Sequence, residues 1–270
     1  MFLSTLERLP GLRPMVSPIR RWRASRRFAT QYAAFNGVFA TREAAERSAP
    51  RSRPLGSASE VLVGDYATLL ETQLAHPGLE SYEYPVLFWL STLIERGDVR
   101  VVADFGGNLG THYHAYARYL EYPRDFEWHI VDVPPIVHAG RALARARGAG
   151  DLHFTTAITD VSECDLLLAS GSFQYLDDVV RVVVDAGLPT HLLVNRLPLG
   201  TASTFWTLQN GGAAFYAQRI QSRTDFRGDL ASVGYALEDE WEDRVDSCHI
   251  PLYPEHSVPV YSGFYFRRSR

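Results

Sequence analysis

The chain has 270 residues, 46% of them apolar, and a formal net charge of −4. This length supports one sizeable hydrophobic core with a small appended piece, and the mild negative charge excludes a global attraction to nucleic acid. All 27 basic residues are arginine, which excludes the Schiff-base and P-loop chemistry that requires lysine. The two cysteines, Cys164 and Cys248, are far apart in the chain. They predict neither a zinc site nor a disulfide, and a reduced, cytoplasmic compartment fits best.

The first 28 residues form a basic segment with seven arginines and one glutamate. Three prolines interrupt its apolar residues, so it is a poor secretory signal, and no stretch of the chain has the ~18 apolar residues of a membrane span. We expect a solvated arm, with contact to an anionic membrane or a partner as the alternative. A stretch rich in proline, serine and arginine at residues 48–59 is the expected linker, so the arm and linker cover residues 1–60.

The first regular elements are predicted to be helical. Thr41 can cap a short helix whose first turn includes Glu43 and Ala44. Apolar residues then recur every three or four positions from Tyr66 to Arg96, and a Pro-Gly pair at residues 77–78 divides this stretch into two helices. We interpret residues 61–98 as a helical cap. Its aromatic second half leaves a homodimer, or contact with a partner subunit, open.

Beyond residue 100, short apolar strands alternate with helices. Strands are predicted at residues 101–105, 128–133, 152–158, 165–169 and 191–195, with helices at 111–120, 136–147 and 175–187. The pattern stops after Pro198, and two final strands, at residues 234–241 and 258–268, are expected to form a hairpin. The order predicts an α/β fold over residues 99–270: a Rossmann-like, doubly wound seven-stranded sheet with a C-terminal antiparallel hairpin, preceded by an N-terminal helical segment.

A glycine-rich turn follows the first of these strands, in the stretch DFGGNLG from Asp104 to Gly110. Such a turn lets the backbone approach a ligand, and the following helix adds N–H donors and a positive dipole end. Asp132 ends the second strand, where an acid binds ribose hydroxyls in nucleoside-binding sheets. Asn108 stands where a dinucleotide motif has its second glycine, and Asp104 would repel a pyrophosphate. Both residues therefore argue against NAD.

This turn resembles the first motif of class I S-adenosylmethionine-dependent methyltransferases, D-x-G-x-G-x-G, with Asn108 in place of the middle glycine. From about residue 35 to the C-terminus, stretches such as FNGVFATREAA, DFGGNLGTHYH, LASGSFQYL, VNRLPL and TLQNGG are similar to one family of bacterial methyltransferases. Its members occur among polysaccharide and specialised-metabolite genes and are mostly assigned by similarity. The resemblance implies methyl transfer from S-adenosylmethionine to a small molecule, such as a sugar or a specialised-metabolite intermediate, with oxygen as the expected acceptor atom.

The resemblance also implies a set of cofactor-binding residues. The methionine end of the cofactor would lie on the glycine turn, its ribose on Asp132, its adenine beside Val133 or Pro134, and its sulfonium above Gly171. The complete set is Asp104, Gly106, Gly107, Asn108, Gly110, Asp132, Val133, Thr156, Ala157, Ser170 and Gly171.

Candidate catalytic and substrate-binding residues come from the ends of the predicted strands, which is the ligand side of such sheets. His112 and His114 lie in a first helical turn, where the helix dipole disfavours the imidazolium, so either would be a neutral general base for a hydroxyl acceptor. Tyr175 is the second candidate base. The expected substrate contacts are Gln174, Asn195, Arg196, Gln209 and Asn210. Arg196 would hold a carboxylate or a phosphate, and no metal ligand is expected.

Three alternative functions remain open from the sequence. The same sulfonium site can promote an elimination or a cyclisation instead of methyl transfer. An NAD-dependent oxidoreductase is disfavoured by the residues of the glycine turn. A non-catalytic binding subunit would retain the fold without the chemistry. Product mass separates the first alternative from methyl transfer, since methylation adds one methylene unit.

Overall fold

The computed structural model describes residues 23–56, 61–76, 78–201 and 203–268. Most of the predicted basic arm and the end of the predicted linker therefore lie outside the described residues. Within the described ranges, no helix has both the length and the apolar character needed to cross a bilayer. Cys164 and Cys248 are both buried and unpaired.

Short elements that precede the central sheet make up the first third of the chain. They are a helical segment at residues 23–30, strand β1 (Phe35–Phe39) and helices α1 (Arg42–Arg47), α2 (Val61–Ala75) and α3 (Glu83–Arg96). The predicted cap is present, because the Thr41 hydroxyl accepts the Ala44 N–H at 3.2 Å. Gly97 ends α3 in the left-handed conformation, with a φ angle of 78°. The sequence pattern does not anticipate β1.

Five parallel strands form the centre of the main sheet. They are β2 (Val101–Phe105), β3 (Glu127–Val131), β4 (Leu152–Thr155), β5 (Leu166–Ser170) and β6 (His191–Leu197). In space they are ordered β6-β5-β2-β3-β4. From β2 the chain adds β3 and β4 on one side and then β5 and β6 on the other, so the strand order reverses at β2. The glycine turn after this strand lies at that switch point, where α/β sheets bind their ligands.

Helices cover both faces of the main sheet. They are α4 (Thr111–Tyr116), α5 (Pro134–Arg147), α6 (Val179–Asp185) and α7 (Arg223–Ser232). Successive residues of one strand enter different cores: Leu166 and Leu168 pack with α3, α4 and α5, whereas Leu167 and Ala169 pack with α6 and α7. A strand that is buried on both faces is largely apolar, and this is why a strand such as β5 is visible in the sequence.

Three strands that the sequence pattern does not predict follow β6. They are β7 (Leu199–Gly200), β8 (Phe205–Asn210) and β9 (Phe215–Ser222). Together with β1 they form a second sheet, ordered β1-β8-β9-β7. The antiparallel β8–β9 ladder places Gln209 opposite Tyr216 and Thr207 opposite Gln218. This second sheet therefore joins the N-terminal part of the chain to the segment between β6 and the final hairpin.

The chain ends in the predicted antiparallel hairpin, formed by β10 (Tyr235–Asp243) and β11 (Tyr261–Arg268). Strand β11 pairs antiparallel with β6, so the complete sheet order is β10-β11-β6-β5-β2-β3-β4. The predicted doubly wound seven-stranded sheet is confirmed.

Several predicted elements are too long, including the helix predicted at residues 175–187, which spans only Val179–Asp185. The helix predicted to reach residue 120 ends at Tyr116, because the N–H groups of Tyr119 and Leu120 both donate to the Tyr116 carbonyl in a turn. The third parallel strand ends at Thr155, whose hydroxyl accepts the Ala157 N–H at 3.3 Å and so turns the chain.

Two helical glycines give a test of the packing between helices and sheet. A Cβ at Gly140, in α5, would lie 2.1 Å from the buried Phe154 ring, whereas one at Gly228, in α7, would meet nothing within 4 Å. We expect Gly140→Ala to lower the free energy of unfolding by about 1–3 kcal/mol through overpacking. The matched Gly228→Ala should raise it by about 0.5–1 kcal/mol through helix propensity. Denaturant unfolding measures both; equal effects would contradict the α5–β4 packing.

Candidate cofactor and acceptor site

The loop between β2 and α4 adopts a backbone conformation that suits its glycines. Gly106, Asn108 and Gly110 have φ angles of 75°, 54° and 85°. After glycine, asparagine is among the residues that best tolerate this region, so Asn108 preserves the turn. Gly107 has no space for a side chain, because a Cβ there would lie 2.5 Å from the Asp104 Cγ. The loop backbone thus rests directly on the Asp104 carboxyl group.

Asp132 attaches this loop to the end of β3. Its Oδ2 accepts the Asn108 N–H at 3.1 Å and its Oδ1 accepts the Val133 N–H at 2.7 Å, while the Gly106 N–H donates to the Val131 carbonyl at 2.8 Å. Burial raises the pKa of Asp132 above its usual value, and the two backbone N–H groups oppose this shift. The structure thus brings the predicted ribose-binding acid and the glycine loop together, with the carboxylate held in one orientation.

The segment after β5 lies on the other side of the glycine loop. The Ser172 hydroxyl donates to the Phe105 carbonyl at 2.7 Å, and a Cβ at Gly106 would lie 2.7 Å from the Ser172 Cβ. The Gly171 N–H donates to the Asn195 carbonyl at 2.9 Å, which joins this segment to β6. The ends of β2, β3, β5 and β6 therefore form one continuous rim around the loop.

Asn195 is a buried residue within this rim. Its Oδ1 accepts the Trp241 Nε1–H at 3.0 Å and its Nδ2 donates to the Ser170 Oγ at 3.4 Å. These bonds connect the ends of β5 and β6 to the final hairpin. Both polar atoms of the Asn195 side chain are thus engaged in hydrogen bonds within the protein, which hold the strand ends of the rim together.

A buried group of charged side chains lies beneath the glycine loop. Asp104 is fully buried, and its Oδ2 accepts the His112 Nδ1–H at 2.9 Å and the Trp128 Nε1–H at 3.2 Å. The His112 Nε2 faces Glu83 Oε2 at 4.0 Å, and the Tyr116 hydroxyl donates to that same oxygen. Asp104 Oδ1 has no hydrogen-bond donor within the described part of the chain. The arrangement places one imidazole between two buried carboxylates.

The structure corrects the expectation that His112 is neutral. Burial lowers the pKa of His112, but the Asp104 carboxylate, with its hydrogen bond, and Glu83 outweigh this effect and raise the pKa to about 9. The six-residue helix α4 has too small a dipole to oppose two carboxylates at these distances. At neutral pH His112 is therefore an imidazolium and has no lone pair with which to act as a general base.

His114 is neutral, as expected, but it lies on a different side of α4. Burial lowers its pKa to about 4, with a further contribution from Arg147 and an opposing one from Glu71. These charged neighbours belong to α5 and α2, so His114 packs against these helices and not at the rim. Its position does not support the predicted role as a general base.

The predicted residues Gln174, Tyr175 and Gln209 come together between β5 and the second sheet. The Tyr175 hydroxyl donates to Gln209 Oε1 at 2.8 Å, and the rings of Tyr175 and Tyr216 lie 5.6 Å apart. Gln174 is only 5% exposed, and its Oε1 has no donor within the described residues. The structure therefore forms a polar boundary between the main sheet and the second sheet.

Gln218 and Tyr261 also lie at this boundary, although no sequence motif points to them. The Gln218 side chain is completely buried, its Nε2 donates to the Tyr261 hydroxyl at 3.3 Å, and its Oε1 lacks a donor among the described residues. On β9, Gln218 shares a face with Tyr216. The mixed polar and apolar residues of FYAQRIQS follow no regular period that would identify this position from the sequence.

Arg196 is already paired within the chain. Its Nε and Nη2 donate to Asp246 Oδ2 at 2.8 and 2.5 Å, Asp243 lies 3.9 Å away, and the guanidinium stacks on the Tyr82 ring at 4.6 Å. A φ angle of 57° holds this residue in the left-handed region at the end of β6. The two acidic neighbours weaken the case for Arg196 as the clamp for an anionic substrate.

Asn210 has a structural environment. Its Oδ1 accepts the Arg53 Nη1–H at 2.7 Å and the Gly212 N–H at 2.9 Å, and its Nδ2 donates to the Phe28 carbonyl at 2.6 Å. It thus fastens the N-terminal helical segment to the second sheet, and we do not retain it as a substrate contact.

The remaining predicted cofactor residues surround Asp132. Val133 is half-buried at the start of α5, and Pro134 is exposed. Thr156 is exposed and Ala157 half-buried, and both follow the end of β4. All four lie after the carboxyl ends of β3 and β4, on the same edge of the sheet as the glycine loop.

Two other features lie away from this rim. A cavity of about 530 Å³ lies between the last turns of α5 and β4 and includes Arg141, Arg145 and Phe154 in its wall. On neighbouring strands β3 and β4, potential ligand atoms of Glu127, His129 and His153 lie within 4.8 Å of one another.

The ionised state of His112 gives a pH-dependent contribution to stability. Its folded pKa of about 9 exceeds the model-peptide value of 6.5. Its stabilising contribution is therefore complete below pH 6.5 and is lost as the pH rises through about 9. Asp104 from β2 and Glu83 from α3 favour the charge, whereas Arg196 at the end of β6 opposes it.

We therefore expect the free energy of unfolding of the wild-type protein to fall between pH 6.5 and about 9, and His112→Gln to flatten this fall. The matched His114→Gln variant should show the same fall in the free energy of unfolding as the wild type, because the pKa of His114, about 4, lies outside this pH range. Urea unfolding at a series of pH values provides the measurement. Parallel curves for the wild-type protein and His112→Gln would contradict the assignment.

Comparisons with known proteins support the architecture. No protein-family model and no curated protein matches the chain. The structure is similar to the putative sarcosine dimethylglycine methyltransferase from Galdieria sulphuraria, with a TM-score of 0.50, 10% identity and coverage of 76% of this chain and 98% of that chain. It also matches 1,6-didemethyltoxoflavin-N1-methyltransferase from Burkholderia thailandensis, with a TM-score of 0.48, 15% identity and coverage of 82% and 95%. Together with the strand order, the first similarity shows that the chain has the fold of the class I S-adenosylmethionine-dependent methyltransferases.

Proposed function

We propose that this protein is an S-adenosylmethionine-dependent methyltransferase that acts on a small molecule. The observation that carries the proposal is the Asn108–Asp132 contact, which holds a glycine loop and a strand-end carboxylate together at the switch point of the sheet. In a sheet of this type, that pair of features serves a nucleoside-containing ligand. The fold supports the same class of ligand.

The residues of the loop fit this cofactor. Gly107 lets the loop backbone pack directly on the Asp104 carboxyl group, where a Cβ would clash, and Asp104 Oδ1 is a buried acceptor without a donor in the described chain. A carboxylate oxygen in this state favours a cationic N–H donor, as the amino-acid end of S-adenosylmethionine provides, and repels the pyrophosphate of NAD. We assign the ribose hydroxyls to Asp132, the adenine to Val133 and the residues after β4, and the sulfonium end to the segment that begins at Ser170.

The chemistry of the bound cofactor is the supply of a methyl group already activated by the sulfonium. The protein's part is to bind and orient both reactants and to exclude water. We assign the acceptor to the boundary formed by Gln174, Tyr175, Gln209 and the second sheet. Its side chains are amides and phenols, and the Arg42 charge beside Tyr175 is paired with Asp177, which supports a neutral acceptor such as a hydroxyl.

A hydroxyl acceptor must lose a proton during methyl transfer. His112 is charged and His114 faces elsewhere, so Tyr175 is the remaining candidate for this step. Its hydroxyl already donates to Gln209 Oε1, which fixes the phenol at the acceptor boundary. We propose that this pair orients the acceptor and that the Tyr175 phenol, once its own proton has passed to solvent, takes the acceptor's proton as a phenolate.

The association state of the protein is a separate proposal. Helix α3 exposes Tyr84 and Phe88, which are 49% and 58% accessible. Exposed aromatic side chains on one helix are typical of interaction surfaces. This supports a homodimer or a partner subunit that contacts α3, in a protein that acts in the cytoplasm.

Calorimetry tests the cofactor assignment. We expect S-adenosylmethionine and S-adenosylhomocysteine to bind and NAD not to bind. Replacing Asp132 with Ala should weaken S-adenosylhomocysteine binding by roughly 10–100-fold, the loss expected for hydrogen bonds to a charged group. Asp98→Ala, at an exposed position, is the matched control and should bind as the wild type does. Binding of NAD alone would contradict the proposal.

Methyl transfer itself is tested with S-adenosylmethionine that carries an isotopically labelled methyl group. A panel of sugar, phenol and amino-acid acceptors is screened by mass for the gain of one labelled methyl. We expect Tyr175→Phe to lower the transfer rate by roughly 100-fold, the size of a general acid–base contribution, with cofactor affinity retained. The control Tyr119→Phe changes an exposed residue and should be neutral. A product formed without label would favour elimination or cyclisation.

A further inference from the structure

Glu83 is a buried charged residue that belongs to no element of the main sheet. It is the first residue of α3, yet it is only 2% exposed. Isolated ionised carboxylates are rarely buried, because removal from water is costly unless partners compensate for it. The partners of Glu83 therefore indicate what this residue does.

Those partners lie on helix α4, directly after the glycine loop. Glu83 Oε2 accepts the Tyr116 hydroxyl and lies 4.0 Å from the His112 Nε2. The other ring nitrogen of His112, Nδ1, donates to Asp104 Oδ2 at 2.9 Å. One imidazole ring thus bridges helix α3 and the last residues of β2.

The geometry favours a particular state of the ring, because Nδ1 donates to Asp104 while Nε2 faces a second carboxyl group at 4.0 Å. A neutral imidazole has a single N–H, whereas an imidazolium can direct an N–H toward each of two carboxylates. With His112 protonated, Glu83 and Asp104 each face a positive charge in a buried environment. Without Glu83, one of the two attractions that hold the ring would be lost.

The position of Asp104 in turn determines the position of the loop. The Asp104 Cγ is 2.5 Å from where a Cβ at Gly107 would be, so the loop backbone packs on the carboxyl group without spare space. A carboxyl group that moved toward the loop would displace it, and one that moved away would leave the loop without its packing partner, because close-packed contacts leave no slack.

From these contacts we infer that Glu83 is a positioning residue for the cofactor loop, which acts through the His112 ring on Asp104. Helix α3 is then part of the cofactor site and not only a cover for the sheet. The effect on cofactor binding rests on the proposed function, whereas the charged state of the bridge does not. A purely structural Glu83 would affect folding without a specific effect on the loop.

The test compares the wild type with Glu83→Gln, His112→Gln and the double variant. Glu95→Gln is the matched control, because Glu95 is an exposed residue on the same helix. Calorimetry measures the affinity for S-adenosylhomocysteine, and thermal unfolding verifies that each variant is folded. Nitrogen-15 NMR of the histidine rings, with His112 assigned by its loss in His112→Gln, reports the protonation of the bridge.

We expect Glu83→Gln to weaken S-adenosylhomocysteine binding about tenfold, in line with the loss of one charge-assisted interaction. Glu95→Gln should have no effect. In the His112→Gln background, Glu83→Gln should cause little further loss, because Glu83 acts through the ring. In the wild-type protein at pH 7, NMR should show both ring nitrogens of His112 protonated.

Three results would overturn the inference. A folded Glu83→Gln protein with wild-type affinity, or full additivity in the double variant, would show that Glu83 does not act on the loop through His112. A neutral His112 ring in the wild-type protein would do the same without any variant, which covers the case where Glu83→Gln fails to fold. If the wild-type protein does not bind S-adenosylhomocysteine, both the proposed function and the role of Glu83 in cofactor binding fail. A doubly protonated His112 ring in the same protein would show that the bridge between Glu83 and Asp104 nevertheless exists.

Discussion

The buried carboxyl group of Asp104 is the constraint on which the site depends. It sits at the end of β2 with no exposure to solvent, and a bare ionised carboxylate in that position would be strongly destabilising. His112 and Trp128 both donate to its Oδ2, and the glycine loop packs directly against the same carboxyl group. Two constraints therefore act on the residues around the loop. Some must compensate the buried negative charge of Asp104, and the residue that packs on its carboxyl group must be glycine because a Cβ would clash there.

The same constraint connects the N-terminal helices to the sheet domain. His112 can compensate Asp104 fully only as an imidazolium, and a second carboxylate, Glu83 of α3, supports that state. Tyr116 completes the group with a hydrogen bond to Glu83 and packs its ring near Trp128. Helix α3, which the sequence places in a separate helical cap, thus supplies a charged side chain that interacts with the residues beneath the glycine loop.

What the sequence predicts well is what local patterns encode. The parallel strands are buried on both faces, so a stretch such as Leu166–Ser170 is continuously apolar and easily recognised. The second sheet is different, because FWTLQN and FYAQRIQS mix polar and apolar residues without a regular period, and FWTLQN pairs with β1, far away in the sequence. The charge of His112 is equally nonlocal, since it depends on Glu83 from another helix. The dipole argument for a neutral histidine used only the residues of α4.

The separation of charge within the site bears on which ligand it fits. Beneath the loop, two carboxylates face one imidazolium, which leaves one excess negative charge, and Asp132 adds another at the rim. At the acceptor boundary the polar groups are amides and phenols, and the Arg196 charge is paired with Asp246. A negative loop beside an uncharged boundary complements a cationic nucleoside cofactor together with a neutral acceptor. A dinucleotide would place its pyrophosphate against this negative charge, so the structure extends to Glu83 and Asp132 the electrostatic argument that the sequence made from Asp104 alone.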